Sequence, residues 1–248
     1  MFGNKNDIDK QSRMPLYFQL EELIKKSISS GILKPGDMIP TEWELVDYFE
    51  LSRTTVRQAM TDLVNENLLY RRKGIGTFVS KPKIDLQYMG TMVSYNDQIL
   101  SMGLTPSTKV LDFEVITAGS FLAGEMELKD EKKVIKLVRL RFADGEPIAV
   151  VESYLPYDLC KFILDVDMEE NSLYQTLARQ KNTTVVMVKR VVEAKLISRE
   201  DSRVLNVEKG FPVQSFLNKA YNEDGRILEY CSSRYRGDRN KFYIEVKV

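Results

Sequence analysis

Apolar residues recur at helical spacing in three segments near the start of the chain. Each segment begins at or just after a residue type suited to a helix start, namely Pro15, Thr41 or Ser52. Thr41 also has the Thr-x-x-Glu spacing of a capping box with Glu44. The stretch GILKPGDMIP, which is rich in glycine and proline, separates the first segment from the second. The predicted helices are 15–30, 41–49 and roughly 53–67.

After the third helix, the stretch LLYRRKGIGTFV places two short apolar or aromatic pieces around a basic, glycine-containing turn. This pattern predicts a β-hairpin. Pro82 then marks a change in composition, followed by a short strand. We therefore divide the chain into a first domain, a linker and a second domain. Their predicted ranges are 1–80, 81–92 and 93–248.

The second domain is predicted to combine antiparallel strands with short helices. Two strand pairs are joined at Asp144-Gly145 and Asp224-Gly225, and Asp-Gly favours tight hairpin turns. The second turn repeats the first after 80 residues, which fits either a weak internal duplication or two ordinary hairpins. Short helices are predicted where a serine precedes an acidic residue or glutamine by three positions. These serines are Ser94, Ser172 and Ser198.

Composition narrows the possible classes of function. The chain of 248 residues has 36 basic and 36 acidic side chains, so its overall charge indicates no polyanionic partner. It has no histidine, which removes a histidine general base, a Ser-His or Cys-His dyad and any histidine-ligated metal. Cys160 and Cys231 form no metal-ligand cluster and are either free thiols or one disulfide. We therefore predict no catalytic residue, no metal and no cofactor.

Neither the N-terminal stretch nor any apolar run suggests a membrane protein. The start, MFGNKNDIDKQSR, is polar and lacks the apolar core of a signal peptide. No apolar run approaches the ~18 residues that a bilayer-spanning helix needs. We expect a cytoplasmic protein with no membrane partner.

Polar and basic side chains collect on one side of the third predicted helix. Thr54, Arg57, Gln58 and Thr61 lie opposite its apolar stripe, and Arg53 lies at the edge in the first turn. Arginine can bond the guanine edge and glutamine the adenine edge, while threonine hydroxyls can hold phosphates. The side is therefore either a helix face that reads DNA or an ordinary solvated face.

The surrounding motifs favour the first interpretation. GILKPGDMIPTE, SRTTVRQA and GIGTFV, taken together, resemble the winged helix-turn-helix head of the GntR family of bacterial transcription regulators over residues 15–80. The resemblance implies double-stranded operator DNA as a partner, with Arg53 and Arg57 contacting it. Trp43 departs from the family pattern, in which several members carry a basic residue, and it either contacts DNA or packs. The implied DNA-binding residues are Ser52, Arg53, Thr54, Thr55, Arg57, Gln58, Arg72, Lys73, Gly74, Gly76 and Thr77.

In the second domain, the stretch LVRLRF alternates arginine with apolar residues. Strand geometry places Arg139 and Arg141 on one face, roughly 7 Å apart. Two neighbouring positive charges repel, so they either pair with acidic side chains on adjacent strands or bind an anion in bidentate fashion. Ser94 and Ser172 could add a hydroxyl and free N–H groups at helix starts, or could simply be caps.

The second domain resembles the UTRA ligand-sensing domain of the HutC-type GntR subfamily. The resemblance rests on SYNDQILSMGLTP, VRLRFADGEPIAVVESYLP, NSLYQTL and ILEYCSSRYRGDRNKFYIEV. It implies that Ser94, Arg139, Arg141 and Ser172 hold the phosphate of a sugar phosphate, and that other side chains meet the sugar. The implied effector-binding residues are Ser94, Tyr95, Arg139, Arg141, Glu152, Ser172, Glu229 and Tyr235.

The two resemblances together imply an α+β fold, with a winged helix-turn-helix followed by a mixed α/β domain built on an antiparallel sheet. UTRA domains share their fold with a lyase that acts on chorismate, but the chain shows no acid/base constellation and we predict no enzyme. The expected function is a homodimeric DNA-binding regulator, a repressor, controlled by a phosphorylated sugar or amino sugar. The alternative effector is a carboxylate without phosphate, and a lyase-like enzyme is the third possibility.

Overall fold

A computed structural model of the protein describes residues 2–72, 74–81, 83–87, 94–128 and 133–244. The chain divides into two compact units, Met1–Pro82 and Lys83–Val248. Lys73 of the predicted wing and residues 82 and 88–92 of the predicted linker lie outside the described residues. Residues 84–87, within the predicted linker, form a strand of the second unit.

The first unit contains the three predicted helices and the predicted hairpin. The hairpin and one further short strand form an antiparallel sheet in the order β1-β3-β2. The capping box predicted for the second helix is present, because the Glu44 amide donates to Thr41 Oγ1 and the Thr41 amide donates to Glu44 Oε2. The elements are α1 Leu16–Ser29, β1 Met38–Ile39, α2 Glu42–Phe49, α3 Arg53–Asn65, β2 Leu69–Arg72 and β3 Gly76–Val79.

The core of the first unit also includes residues that precede α1. Phe2 and Ile8 are buried among the apolar residues of the helices. Ser27 Oγ donates a hydrogen bond to the Phe2 carbonyl over 3.0 Å, and the Tyr48 hydroxyl donates to the Gly3 carbonyl over 3.0 Å. Lys5 and Lys10 also pair with Glu50, and the Asp9 amide donates to Gln19 Oε1. The polar composition of this segment gave no signal of its packing, because contacts between segments distant in sequence attach it.

The second unit is built on a six-stranded antiparallel sheet in the order β5-β6-β7-β10-β9-β8. A separate parallel pair joins β4 to β11. The strands are β4 Ile84–Gln87, β5 Pro106–Thr117, β6 Lys133–Ala143, β7 Glu146–Pro156, β8 Met187–Leu196, β9 Pro212–Tyr221, β10 Ile227–Arg236 and β11 Asn240–Tyr243. The helices are α4 Tyr95–Ser101, α5 Ser120–Glu125, α6 Tyr157–Cys160, α7 Leu173–Leu177 and α8 Arg199–Val204.

The order of elements repeats within the second unit. The run α4-β5-α5-β6-β7 is followed by α7-β8-α8-β9-β10, and the two runs meet at the β7–β10 pair in the middle of the sheet. Asp144 and Gly145 both have positive φ, 49° and 71°, as a tight hairpin turn between β6 and β7 requires. The repeated architecture therefore favours the duplication interpretation over two unrelated hairpins.

The two faces of the sheet are covered by different helices. The α4/α7 face, which carries Leu137, Arg139 and Arg141 of β6, is covered at one end by α6 and α7 and at the other by α4, β4 and β11. The opposite face, here the α5/α8 face, is covered by α5 and α8. Together with the helices and hairpin of the first unit, this sheet confirms the predicted α+β fold.

Candidate functional site

The third helix presents its polar side chains outward because its apolar side is used for packing. Val56, Ala59, Met60 and Leu63 are buried in the core of the first unit. Ser52 caps the helix, with its Oγ accepting from the Thr55 amide at 3.1 Å. The predicted polar residues Ser52, Arg53, Thr54, Arg57 and Gln58 are exposed, while Thr55 is half-buried.

Trp43, in the first turn of α2, lies beside the start of α3. Its side chain is 59% exposed, so the indole is not a core residue. The guanidinium of Arg53 lies over the indole, 4.6 Å from the ring centroid. A guanidinium donates hydrogen bonds in its own plane, so this contact leaves its donors available.

The hairpin contributes further basic groups beside α3. Arg71 is held in the first unit, since its Nη2 contacts Glu42 Oε1 and Thr61 Oγ1 at 3.3 Å each. Arg72 is exposed and lies 6.0 Å from the ring centroid of Phe78. Of the other predicted wing residues, Gly74 is exposed with φ of 75°, and Gly76 and Thr77 are half-buried.

In the second unit, Arg139 is buried in the middle of the α4/α7 face. Only 3% of its surface is exposed, and its Nε and Nη1 have no hydrogen-bond partner among the described residues. Burial is the main cause that lowers its pKa, and nearby Glu229 acts in the opposite direction. A buried guanidinium with unused donors is costly unless something accepts from them.

Arg141 lies one pleat further along the same face and is also buried. Its Nη1 donates to Thr108 Oγ1 at 2.6 Å, and its guanidinium lies 5.1 Å from the Tyr95 ring centroid. Burial, followed by the charge of Arg139, lowers the pKa of Arg141 to about 9. The described contacts of this arginine are therefore to a hydroxyl and a ring rather than to a carboxylate.

Glu229 and Tyr235 belong to the same face, on β10. Pairing across the sheet aligns Arg141 with Ala149 and Ala149 with Tyr235, and directly paired residues share a face. Glu229 is 3% exposed and accepts a hydrogen bond from the Tyr174 hydroxyl at 2.6 Å. Tyr235 packs edge-on against Phe216 with ring centroids 5.4 Å apart.

Glu152, which was predicted to bind the effector, does not lie on the α4/α7 face. It pairs with Val138 on β6 and with Ser232 on β10, so it lies on the α5/α8 face. There its Oε1 accepts from the Tyr154 hydroxyl at 2.6 Å, and its Oε2 lies 3.4 Å from Arg234 Nη1. A carboxylate on the opposite side of the sheet cannot contact a ligand held by Arg139 and Arg141.

Ser94 and Ser172 occupy helix N-caps, as predicted. Ser94 Oγ accepts from the Asp97 amide at 3.2 Å and donates to the Asp97 carboxylate at 2.6 Å. Ser172 Oγ accepts from the Gln175 amide at 3.5 Å. Both side chains are half-buried, and the hydrogen bonds just described are those of helix caps.

Several polar residues of the same face were not predicted as site residues. They are hydroxyl and amide side chains at inward strand positions or on α7, where an apolar residue is the norm. A polar residue at a strand position that alternation turns inward is a signal from which the sequence could have identified them. These residues are Thr108, Ser153, Tyr174, Asn218 and Ser233.

Other kinds of site are not supported by the described residues. Both cysteines are free and buried, which confirms the free-thiol interpretation. In the part of the chain that the structure describes, no group of three or more acidic or cysteine side chains could hold a metal ion. No helix within the described ranges is long and apolar enough to cross a bilayer.

The first unit thus exposes a polar and basic helix face, and the second unit buries two arginines on one face of its sheet. Residues 16–79 match the family described as bacterial regulatory proteins, gntR family, and residues 101–241 match the UTRA domain. The chain belongs to the GntR family and carries a UTRA domain. It is therefore a transcription regulator and not an enzyme, and regulators of this family bind operator DNA and small-molecule effectors.

Named relatives agree with this assignment. The chain is 35% identical to the HTH-type transcriptional repressor NagR of Bacillus subtilis over 95% of its own length and 96% of NagR. It is 31% identical to MngR of Escherichia coli, the mannosyl-D-glycerate transport/metabolism system repressor, over 93% of its length and 95% of MngR. The crystal structure of PhnF from Mycobacterium smegmatis has the same fold, with a TM-score of 0.65, 24% identity and coverage of 94% of this chain and 99% of PhnF.

Proposed function

We propose that the chain is a homodimeric repressor whose operator binding is controlled by a small anion held by Arg139 and Arg141. Residues 1–80 serve as the DNA-binding domain, 81–92 as the linker and 93–248 as the effector-binding domain. The proposed site of action is the cytoplasm, where the operator DNA is found. The observation that carries the effector site is the buried Arg139 guanidinium with Nε and Nη1 unpaired among the described residues.

The charges of the site favour a phosphorylated sugar or amino sugar as the effector. Two buried guanidiniums present donors to one small region, and a phosphate offers two negative charges and three acceptor oxygens. Glu229, paired with Tyr174, is a buried acceptor suited to sugar hydroxyl or amino groups. The effector site we propose therefore comprises Arg139, Arg141, Tyr95, Tyr235 and Glu229, with Ser94 and Ser172 at its helix ends, and it omits Glu152.

A carboxylate without phosphate is the second candidate. The relative MngR is named for mannosyl-D-glycerate, a sugar that carries a carboxylate. A carboxylate also fits a bidentate guanidinium. A panel that includes sugar phosphates, sugar acids and the parent sugars therefore separates the two candidates.

The DNA contacts we propose come from α3 and the wing. In this proposal Arg53, Arg57 and Gln58 meet base edges, and neighbouring hydroxyls and the wing meet the DNA backbone. Two heads on a palindromic operator multiply the modest affinity of one head. The proposed DNA-binding set remains Ser52, Arg53, Thr54, Thr55, Arg57, Gln58, Arg72, Lys73, Gly74, Gly76 and Thr77.

Thermal unfolding with the panel tests the effector site. A ligand at 100 times its dissociation constant adds about 2.7 kcal/mol to the free energy of unfolding. Arg139→Met replaces a buried, underpaired cation with an apolar side chain of similar length, so the ligand-free variant should unfold at the same or a higher temperature. The same variant should lose the ligand-induced shift, and retention of the full shift would place the anion elsewhere.

Operator binding tests the DNA face. Arg57→Ala should lose about 1–3 kcal/mol of discrimination between operator and mismatched DNA. Arg199→Ala, which removes an exposed arginine at the start of α8, is the matched control and should bind as the wild type does. Equal losses in both variants would reject the role of α3.

A further inference from the structure

Gln58 is the one amide among the side chains that we propose to meet base edges, and its NH2 group already has a partner. Its Nε2 donates a hydrogen bond to Asp62 Oδ2 over 2.7 Å, one turn further along α3. Gln58 is exposed and Asp62 is half-buried, so the bond ties an outward side chain to a more restricted one. An ionised carboxylate only accepts hydrogen bonds, so Asp62 faces the NH2 end of the amide rather than its oxygen.

The bond to Asp62 restricts what the Gln58 amide can recognise. A free glutamine can turn its amide by half a turn and offer either its oxygen or its NH2 group to the same atom of a base. With one N–H of Nε2 given to Asp62, the amide keeps Oε1 and its second N–H for a base. Adenine displays the matching pair, a donor at N6 and an acceptor at N7, whereas guanine displays two acceptors, O6 and N7. Guanine would therefore bring its O6 against Gln58 Oε1 with no hydrogen between the two oxygens.

Asp62 is in turn in contact with a buried carboxyl group of α1. Glu21 is 4% exposed, and its Oε1 has no hydrogen-bond partner of the ordinary kind, a donor group, among the described residues. Its carboxyl is in hydrogen-bond contact with that of Asp62, and two carboxyl groups can bond each other only when one of them carries a proton. Burial, followed by the charge of Asp62, raises the pKa of Glu21, which favours the protonated form.

The other charged groups around Glu21 act in opposite directions. Lys25, on α1, lowers the pKa of Glu21, and Glu66, on α3, raises it. Lys25 is paired with Glu66, since its Nζ lies 2.8 Å from Glu66 Oε2. Within the described ranges Glu21 forms no ion pair of its own, so a proton shared with Asp62 is the remaining way to bond this buried carboxyl.

We propose that Asp62 is a positioning residue that orients the amide of Gln58, so that Gln58 selects adenine over guanine in the operator, and that Glu21 holds Asp62 from α1. The inference rests on the proposed function, because it assigns the specificity of one of the proposed DNA contacts. A carboxylate beside a DNA-binding face is repelled by phosphates and opposes binding to any sequence. The gain from Asp62 is therefore in discrimination between bases, and its removal should not weaken binding to mismatched DNA.

Base preference tests the role of Asp62. The probe is a duplex that the wild-type protein selects from a randomised library, and the base pair read by Gln58 is the one whose substitution no longer changes the affinity of Gln58→Ala. At that position the wild type should prefer adenine over guanine at least about tenfold. Asp62→Ala should reduce the preference to about threefold or less, chiefly because it binds the guanine duplex more tightly. In a Gln58→Ala background, Asp62→Ala should have no further effect on the preference.

Matched controls separate positioning from folding. Asp47→Ala removes an exposed carboxylate from α2 and should keep the wild-type preference. Asp62→Ala should keep the discrimination at the bases read by Arg57, which a disturbed α3 would lose. Asp62→Asn has nearly the same shape but can face Gln58 with its oxygen or its NH2 group, so its preference should lie between those of the wild type and Asp62→Ala. An unchanged preference for adenine in both Asp62 variants, or a wild-type preference for guanine at this position, would overturn the proposal.

A pH profile of the same preference tests the role of Glu21. The chain has no histidine, so no side chain with an ordinary pKa titrates between about pH 5 and 8. While Glu21 carries its proton it can donate to Asp62, and once ionised it repels that carboxylate. The adenine preference of the wild type should therefore fall as the pH rises through the pKa of Glu21. Glu21→Gln, whose amide can donate at every pH, should keep a constant preference, and the same profile in both proteins would overturn the role of Glu21.

Failure of this inference differs from failure of the proposed function. A wild type that selects no sequence, or an Arg57→Ala variant with unchanged discrimination, would overturn the function and this inference with it. Selection of a sequence by the wild type, with discrimination lost in Arg57→Ala but at no position in Gln58→Ala, would overturn this inference alone.

Discussion

The guanidinium of Arg53 lies 4.6 Å from the centroid of the Trp43 ring, which ties the first residue of α3 to the first turn of α2. Both side chains are exposed, so the contact is not a by-product of core packing. A cation over an exposed tryptophan is stabilised by about 0.5–1 kcal/mol. The indole thus restricts the positions that the Arg53 guanidinium can take before DNA arrives.

Removing the indole should weaken operator binding through Arg53. Trp43→Ala is expected to lower the affinity about two- to fivefold, and Trp43→Phe should lower it less because phenylalanine retains a ring face. A double-mutant cycle by fluorescence anisotropy of labelled operator checks the mechanism. Trp43→Ala should have no effect in an Arg53→Ala background but its full effect in an Arg57→Ala background. Full additivity with Arg53→Ala would mean that the stack does not position the arginine.

Anion binding at Arg139 and Arg141 should weaken at high pH. Burial and Arg139 hold the pKa of Arg141 at about 9 in the folded protein, below the ordinary 12.5. In the ligand-free protein the buried charge of Arg141 therefore lowers the free energy of unfolding below about pH 9. This destabilisation decreases as the pH rises above 9 and the guanidinium loses its proton. A bound anion favours the charged form, so the ligand-induced shift in unfolding temperature should be largest below pH 9 and fall above it.

Thermal scans between pH 7 and 10.5 with inorganic phosphate and with the strongest ligand of the panel check this expectation. Phosphate keeps its two charges over most of this range, so a decline reports on the protein. Arg141→Met should give a small shift that varies little with pH. A wild-type shift that stays constant to pH 10.5 would show that Arg141 keeps its charge over this range, whereas a large shift in Arg141→Met would contradict its assignment to the site.

Glu229 should distinguish a sugar phosphate from its phosphate alone. Glu229→Gln keeps the size of the side chain but removes the charge that accepts from Tyr174 and, in our proposal, from the sugar. We expect the variant to bind the sugar phosphate at least about tenfold more weakly, as for loss of a charged hydrogen-bond acceptor. Its affinity for inorganic phosphate should not fall. Isothermal titration measures both affinities.

Glu152→Gln is the matched control for that experiment. Glu152 has the same side chain but lies on the α5/α8 face beside Arg234. Its replacement should leave both affinities unchanged, even if the ion pair with Arg234 costs some stability. Weaker sugar-phosphate binding by Glu152→Gln, with Glu229→Gln unaffected, would reverse our assignment of the two carboxylates.

Both thiols should be unreactive in the folded protein. Burial raises the pKa of Cys160 and that of Cys231 to about 12, and both side chains are shielded from solvent. The thiolate is the reactive form, so a disulfide reagent at pH 8 should label neither cysteine until the protein unfolds. Denatured protein should then give two thiols per chain. Rapid labelling of the native protein would show that the α4/α7 face opens to solvent.

The parts of the fold that depend on neighbours in sequence were predictable. Residues close together in sequence determine three of these features: the α3 cap at Ser52, the capping box of Thr41 and Glu44, and the Asp144-Gly145 turn. The placement of Arg139 and Arg141 on the same face of β6 follows from strand alternation alone. These local rules were sufficient to identify α3 and the two arginines as candidates.

The parts that depend on pairing between distant segments were not predictable. Alternation shows that Glu152 and Tyr154 share a face, but the register with β6 and β10 decides which face it is. Tyr174 reaches Glu229 from a helix 55 residues earlier in the chain. The place of β8 at the edge of the sheet is equally hidden, because it comes from the order of the whole sheet.

Through the parallel pair of β4 with β11, the last strand of the described residues supports the first strand that they form in the second unit. Ile84 and Leu86 of β4 pack in the same cluster as Phe216 and Tyr235, next to Phe242 of β11. Shortening the protein from its C-terminus past Asn240 would therefore strip β4 of its strand partner and expose the aromatic rings beneath it. Sensor fragments for crystallisation should therefore keep both β4 and β11.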